Sequence, residues 1–188
     1  MGIFFHRIYI LDISTILIAI PIILLVWSLI GTAFYKYMRI ISVIAALIAI
    51  GAILYVTVLS RGERGVRADL IPFSSFKRAK TNPEMYRSML MNVFLFVPFG
   101  LALPFVFSGS TGKRILLTIL VGLLLSVTVE AIQCFVKLGM TETDDVICNT
   151  LGTAIGSCAY PLSLLWRKLM IKDKAKHSND PQRKDGNN

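Results

Sequence analysis

The sequence predicts an all-α, polytopic transmembrane helix bundle of about five spans. Of the 188 residues, 55% are hydrophobic and only 16% are charged, whereas soluble domains carry about 25% charged residues. The apolar residues also fall into blocks of about 20, the length that a helix needs to cross a hydrocarbon core ~30 Å thick. The chain length therefore allows about five spans joined by short loops, without a separate soluble domain.

The first two spans, residues 8–30 and 40–59, make a predicted N-terminal transmembrane hairpin, which we assign to residues 1–54. Pro21 lies inside the first span, where a membrane helix tolerates it. This apolar block is too long, and its end too bulky, for a cleaved signal peptide. We therefore expect both spans to be retained in the protein.

The third span, residues 90–107, contains Pro98 and Pro104. A proline removes a backbone donor and clashes with the preceding turn, so this helix should be kinked or broken near Pro98. Broken membrane helices persist only where protein or a water-filled cavity satisfies the freed backbone groups. The prolines therefore suggest a cavity beside this helix.

The fourth and fifth spans cover residues 115–136 and 146–169, separated by an acidic turn. Thr143 or Asp144 is suited to cap the fifth helix, and Asp145 to complement its positive N-terminal dipole. We assign residues 55–160 to one domain and 161–170 to the end of the last span. The polar basic segment 171–188 lacks aromatic residues and should be a disordered tail.

The formal net charge of +9 comes from basic residues in the loops and the tail. In that setting the charge indicates membrane lipids as partners and a role in topology, and we expect no nucleic-acid partner. The Lys and Arg counts near the spans are close to equal on the two faces, because the connection at 61–87 is as basic as the tail. Short basic turns at residues 36–39 and 113–114 share one face with the tail, and we choose that face, with the tail, as the cytoplasmic one. Neither a disulfide framework nor a zinc site is indicated, because the cysteines are three in number and form no CxxC pair. We expect no cofactor.

Glu130 is the sharpest functional signal, because an ionisable residue is costly inside a membrane segment, by ~2.5–3.5 kcal/mol for an Asp or Lys at its centre on insertion scales. Glu130 lies inside the span but not at its centre. Gln133 follows it by three positions, whereas Ser126 and Gly122 precede it by four and eight. At helical spacing, these four residues share one face of the fourth span.

The fifth span carries a similar stripe: Asp145, Asn149, Gly152 and Gly156 recur at steps of four, three and four. The two glycines form a GxxxG motif, which lets helix backbones approach closely. We expect the fourth and fifth spans to pack antiparallel along these stripes, which gathers their polar ends near one membrane face. Asn92 of the third span and Arg61 after the second enter from that same side.

Three uses of these polar residues stay open. They can line a binding pocket, Glu130 can serve as a general acid or base, or the group can simply hold the helices together. Glu130, Asp144 and Asp145 could ligate Mg²⁺ or Ca²⁺, but the same acids serve as helix-start residues, so we predict no metal. Histidine-based chemistry is disfavoured, because His6 and His177 lie near the chain ends.

Four sequence blocks resemble the VanZ-like family of bacterial membrane proteins, named for an accessory protein of glycopeptide resistance. They are LIPF at 70–73, NVFLFVPFG at 92–100, SVTVEAIQ at 126–133, and DVICNTLG at 145–152 followed by Gly156. The chain departs from the family pattern near the acidic turn. Residues 139–141 lack a basic residue that members often have, and Glu142 stands where aspartate is common.

The resemblance implies a multi-pass protein of the bacterial cytoplasmic membrane, with an outward polar pocket that binds a lipid-linked cell-wall precursor or lipoglycopeptide. It also implies lowered susceptibility to teicoplanin. The alternatives are an intramembrane enzyme acting on a lipid or sugar-phosphate headgroup, with Glu130 as acid or base, and a structural partner of a membrane complex. Carried over by motif position, the site candidates are Arg61, Asn92, Glu130, Gln133, Asp145 and Asn149.

Overall fold

The computed structural model describes residues 12–59, 67–69, 71–136 and 140–178. The elements in this part of the chain are α1 (Ile13–Ala33), α2 (Met38–Leu54), a π-helical stretch (Tyr55–Leu59), β1 (Arg67–Asp69), α3 (Ser74–Ala79), α4 (Pro83–Val106), α5 (Thr111–Phe135), β2 (Met140–Glu142), α6 (Thr143–Ser157) and α7 (Ala159–Ser178).

The predicted all-α, multi-pass fold is confirmed. By length and composition, α1, α2 with its π-helical continuation, α4 and α5 can each cross a membrane. The most apolar stretch of α4 is 61% buried, whereas that of α1 is 11% buried. Since α4 also contacts all six other helices described, it is the central helix of the bundle.

The start of α4 lies seven residues before the predicted start of the third span. The Asn82 side chain caps the helix by accepting hydrogen bonds from the N–H groups of Glu84 (3.1 Å) and Met85 (3.4 Å). Pro83 then occupies the first helical turn, where its missing N–H costs no hydrogen bond. The helix runs unbroken past Pro98, so a break there is wrong, whereas a kink stays a prediction.

The fifth predicted span is divided between two consecutive helices, α6 and α7, with Cys158 between them. Pro161 explains the division, because it has no N–H to donate to the Ser157 carbonyl four residues earlier. A single helix over 146–169 is therefore wrong. The expected disorder is also contradicted for 171–178, which are helical in α7, and the remainder of the tail lies outside the described residues.

The contacts between α4 and α6 are backbone to backbone. A Cβ atom added to Gly152 would lie less than 3.0 Å from the Val93 carbonyl of α4, and one on Gly156 would meet the Val97 carbonyl equally closely. On the other helix, a Cβ on Gly100 would meet the Thr153 carbonyl. We call these three glycines, Gly100, Gly152 and Gly156, the glycine seam.

The GxxxG motif thus faces α4, and not the fourth span (α5) as expected. The reason is that α6 packs between α4 and α5 and presents a different face to each. Its α5 side carries Asn149 and Thr153, which lie against Ser126 and Gly122. Gly122 and Ser126 do pack against the fifth predicted span, as expected. They contact Thr153 and Asn149 of α6, however, and not Gly152 and Gly156.

The two N-terminal helices pack mainly on later helices, with α1 on α7 and α2 on α4. A polar stripe on α1 makes the first of these contacts. Thr32 Oγ1 donates a hydrogen bond to the Ser163 carbonyl (3.1 Å), and Trp166 Nε1 donates to Ser28 Oγ (3.2 Å). The domain boundary after residue 54 stays a prediction.

Two short strands were not predicted. Arg67–Asp69 and Met140–Glu142 pair in parallel, with Asp69 opposite Glu142. The pair joins the polar connection that precedes α3 to the turn that precedes α6, and we call the end of the bundle that carries it the β-pair end.

Candidate functional site

Polar side chains from three helices meet near the β-pair end, where α5 ends and α6 begins. We call them the interhelical polar cluster. Each makes a hydrogen bond to another element, so the cluster links α4, α5, α6 and the π-helical stretch. Its members are Asn92, Ser126, Glu130, Gln133, Asp145 and Asn149.

Asn92 and Asp145 link α4 to the first turn of α6. The Asn92 Nδ2 donates a hydrogen bond of 2.6 Å to Asp145 Oδ1. Hydrogen bonds to an ionised carboxylate are shorter and stronger than neutral ones. The contact fixes the carboxylate beside the N-terminus of α6, where the helix dipole favours negative charge.

Glu130 links α5 to the start of α6. It is only 5% exposed, and its Oε2 accepts a hydrogen bond from the Glu142 N–H at 3.3 Å. Glu142 is the residue immediately before α6. The Glu130 carboxyl group therefore lies near the positive end of that helix, as the Asp145 carboxyl group does. The start of α6 therefore brings two carboxylates from different helices into one region.

Gln133 links α5 to the π-helical stretch. It is 2% exposed, and its Nε2 donates to the Thr57 carbonyl at 2.9 Å. A π-helix replaces the usual i→i+4 hydrogen bonds with i→i+5 bonds, and such stretches are frequent at functional sites. Here the irregular stretch supplies the acceptor for a buried side chain.

Asn149 and Gln133 each retain an unused acceptor. Asn149, 3% exposed, donates through Nδ2 to Ser126 Oγ at 2.9 Å. Its Oδ1 and the Gln133 Oε1 are buried without a hydrogen-bond partner among the described residues. An unsatisfied buried polar group costs ~1–3 kcal/mol, and water or a ligand donor would recover that cost.

The structure thus places every predicted site residue except Arg61, which lies outside the described residues. Asn92 meets Asp145, and Asn149 meets Ser126, whereas Glu130 and Gln133 make their described bonds to backbone groups. The sequence could place these residues near one membrane face, but not choose these partners.

Asp144 has a role that the sequence did not reveal. It is 1% exposed, and its two carboxylate oxygens accept hydrogen bonds from the N–H groups of Phe73 (2.6 Å) and Ser75 (2.7 Å). The predicted cap on the fifth helix is therefore wrong, since α6 has no side-chain cap. Asp144 instead holds the start of α3, which the pairing of β1 with β2 brings within reach.

Further charged contacts surround Asp144. Ser75 Oγ donates to Glu142 Oε2 (2.6 Å), and the Arg78 guanidinium donates to Asp69 Oδ2 (2.7 Å). The hydroxyl of Ser74 holds the pKa of Asp69 below its usual 3.8, with help from the Ile71 N–H and Arg78 and against the effect of burial. We call the three acids, Asp69, Glu142 and Asp144, the carboxylate anchor.

Comparison with known proteins identifies the family. The family model described as VanZ/LLP1 matches residues 42–166. The chain belongs to the VanZ/LLP1 family. The matched segment contains all of the interhelical polar cluster, the carboxylate anchor and the glycine seam, and the resemblance predicted from the sequence motifs is confirmed.

One curated relative is Protein VanZ of Enterococcus faecium, 41% identical over 80 residues. These residues are 42% of this chain and 47% of the relative, so the alignment spans about half the length of the relative. No solved structure matches the chain. Family membership and the apolar helices together show a VanZ-family, multi-pass membrane protein.

Proposed function

We propose that this protein lowers the susceptibility of its bacterial host to teicoplanin by binding a lipid-linked cell-wall precursor or a lipoglycopeptide. The binding site is the interhelical polar cluster, with Arg61 as a further member. The observation that carries the proposal is the VanZ/LLP1 match over residues 42–166, which contains every described residue of the cluster.

The chemistry of the cluster supports this ligand class. Sugars and peptides present hydroxyl and amide N–H donors, and the unpartnered amide oxygens of Gln133 and Asn149 can accept from them. The carboxyl groups of Glu130 and Asp145 add further acceptor oxygens for such donors.

Charge distribution supports an outward site. Lys36 lies between α1 and α2, Arg39 lies in the first turn of α2, and Lys113 and Arg114 lie in the first turn of α5. These short connections are at the end opposite to the β pair, and cytoplasmic loops carry an excess of basic residues. We therefore propose that this end, with the tail, lies in the cytoplasm and that the cluster faces outward from the cytoplasmic membrane.

Teicoplanin susceptibility of a deletion strain tests the function. The deletion should raise susceptibility, and wild-type protein expressed from a plasmid should restore resistance. A strain whose susceptibility is unchanged by the deletion would contradict the proposal. In that case, family membership would inform on the fold alone.

A second candidate is an intramembrane enzyme acting on a lipid or sugar-phosphate headgroup, with Glu130 as acid or base. Burial of Glu130 at 5% exposure favours it, because desolvation is a means of tuning a catalytic carboxyl group. Glu130→Gln separates the two candidates. It keeps an oxygen that can accept from the Glu142 N–H but cannot transfer a proton, so an enzyme loses all activity and a binding protein retains part.

A structural partner of a membrane complex is distinguished by the opposite pattern. Such a protein would tolerate Glu130→Gln and Asn149→Ala, and would fail when exposed helix faces or the glycine seam are changed. Co-purification of the complex, measured for each variant at equal membrane level, separates this role from the other two.

A further inference from the structure

An apolar groove of about 370 Å³ lies between α3, α4 and α6, on the flank of the bundle near the β-pair end. Its volume is within the range of ligand sites in proteins, about 300–1,000 Å³. The floor is formed by Met89 and Val93 of α4 and by Cys148 of α6, which are 7%, 6% and 2% exposed. None of the residues of the interhelical polar cluster lines the groove.

The groove extends from the polar end of the bundle toward the membrane interior. Tyr86 and Val93 mark its ends along α4, and seven helical residues correspond to roughly 10 Å. Tyr86 and Leu151 on its walls are 42% and 48% exposed, so the groove is open to its surroundings. Tyrosine is enriched at the membrane–water interface, which places the Tyr86 end at headgroup level.

Lys80 supplies a positive charge at this same end, as the polar residue that follows α3. Neighbouring cations are already paired: Arg78 contacts Asp69 at 2.7 Å, and Arg87 contacts Glu84 at 3.9 Å. Within the described part of the chain, neither Lys80 nor Lys77 has an ion-pair partner. The groove therefore combines an apolar channel with an available cation at its mouth.

We propose that this groove binds one acyl chain of an anionic phospholipid, with the phosphate group at Lys80. An acyl chain suits the apolar floor, because close van der Waals packing in a groove of fixed shape favours it over the mobile lipid chains around the protein. The phosphate matches the free ammonium group, and a basic residue near an anionic membrane surface contributes about 1 kcal/mol. This proposal does not depend on the proposed role in teicoplanin susceptibility.

Native mass spectrometry of the purified full-length chain tests the proposal, with dimyristoyl-phosphatidylglycerol and dimyristoyl-phosphatidylcholine as probes. The two lipids share their acyl chains and differ in net charge. We expect one phosphatidylglycerol per chain to bind in preference to phosphatidylcholine. Equal binding of the two lipids would overturn the proposal.

Lys80→Glu should lower the preference for phosphatidylglycerol about fivefold or more, the factor that corresponds to one lysine acting on an anionic lipid. Lys36→Glu is the matched control, because it makes the same charge reversal at an exposed position at the other end of the bundle. An equal loss in both variants would show a non-specific charge effect and contradict the site.

Ala79→Leu should weaken binding of both lipids, since Ala79 lines the groove and the added carbons would fill it. Ala131→Leu makes the same change on an exposed face of α5 and should leave binding unchanged. If Ala79→Leu lowers the melting temperature of the lipid-free protein, Leu151→Phe at the half-exposed wall replaces it. Full lipid binding by a folded groove-filling variant would overturn the proposal.

Discussion

Helix α6 is joined to the molecule in two contrasting ways. At the glycine seam it touches α4 through backbone atoms, where Gly152 and Gly156 leave no room for a side chain. At the carboxylate anchor it holds the start of α3 through hydrogen bonds to side-chain carboxylates. The two that Asp144 accepts, from the N–H groups of Phe73 and Ser75, are 2.6 and 2.7 Å long.

The difference shows which physical property each region depends on. The seam depends on shape, because van der Waals packing and small residues drive helix association where surrounding lipid is as apolar as the helices. The anchor depends on charge, because a buried carboxylate is stable only when its oxygens are hydrogen-bonded. The seam should therefore respond to size and be indifferent to pH, whereas the anchor should respond to charge and, at Asp69, to pH.

The largest effect is expected at the seam, for Gly152→Ala. The new Cβ would lie less than 3.0 Å from the Val93 carbonyl, so α4 and α6 must separate along their whole contact. Overpacking typically costs ~1–3 kcal/mol, and a backbone obstacle places this change at the upper end of that range. The melting temperature in detergent, with the membrane level in cells, measures the loss.

Gly51→Ala is the matched control for the seam. A Cβ added at Gly51 meets nothing within 4 Å, and alanine has a higher helix propensity than glycine. This variant should be as stable as wild type or more so. If both glycine substitutions have the same effect, close packing is not what Gly152 provides.

A smaller and more local effect is expected at the anchor, for Asp144→Asn. The amide keeps one acceptor but turns an NH₂ group toward the Phe73 or Ser75 N–H. Loss of a hydrogen bond to a charged buried group costs about 1.5–3 kcal/mol. The start of α3 should loosen, and trypsin should then cleave faster after Lys77, which is measured by limited proteolysis.

Glu84→Gln is the control for the anchor, since Glu84 is 81% exposed and pairs with Arg87 only at 3.9 Å. It removes the same charge from the same end of the bundle and should leave the cleavage rate after Lys77 unchanged. Equal acceleration by both variants would attribute the effect to net charge and not to the two Asp144 hydrogen bonds.

The smallest effect is the pH response of Asp69. Its pKa is below the usual 3.8, chiefly because the Ser74 hydroxyl donates to it. A carboxyl group whose pKa is lower in the folded state than in the unfolded state stabilises the fold at pH values above its unfolded-state pKa. This contribution is lost as the pH falls through the folded-state pKa. The contacts of Asp69 should therefore persist at pH values down to its usual pKa of 3.8 and be lost only at more acidic pH.

Ser74→Ala sharpens that test. Removing the largest cause of the shift should raise the pKa of Asp69 toward 3.8, so the contacts are lost at a higher pH than in wild type. Carboxyl-carbon NMR of Asp69 measures the midpoint directly. A midpoint that stays unchanged or falls in Ser74→Ala contradicts the assignment of the shift to the Ser74 hydroxyl.

The spans were predictable because the bilayer imposes a local rule. A helix must be apolar over about 20 residues, and the four long apolar helices obey it. Local signals also marked element ends that were missed: Asn82 and Pro83 at the start of α4, and Pro161 after the interruption at Cys158. These positions follow from capping and from the missing proline N–H, so a closer reading of the sequence would have found them.

The partners of the site residues were not predictable, because they depend on long-range packing. Asp144 lies 71 residues from Phe73 in sequence, and 53 residues separate Asp145 from Asn92. Helical spacing puts Gly152 and Asn149 on one stripe, but α6 packs between two helices and gives each residue a different neighbour. Spacing determines which residues share a face, whereas the fold determines what that face meets.

The most direct test of the proposed site is the teicoplanin susceptibility of a deletion strain that carries Asn149→Ala at wild-type membrane level. Ser126→Ala is the control, because it removes the same Asn149–Ser126 hydrogen bond but keeps the unpartnered Asn149 oxygen. Our account predicts that Asn149→Ala is as susceptible as the deletion strain, whereas Ser126→Ala remains closer to wild type. Equal resistance of the two variants would contradict a binding role for the interhelical polar cluster.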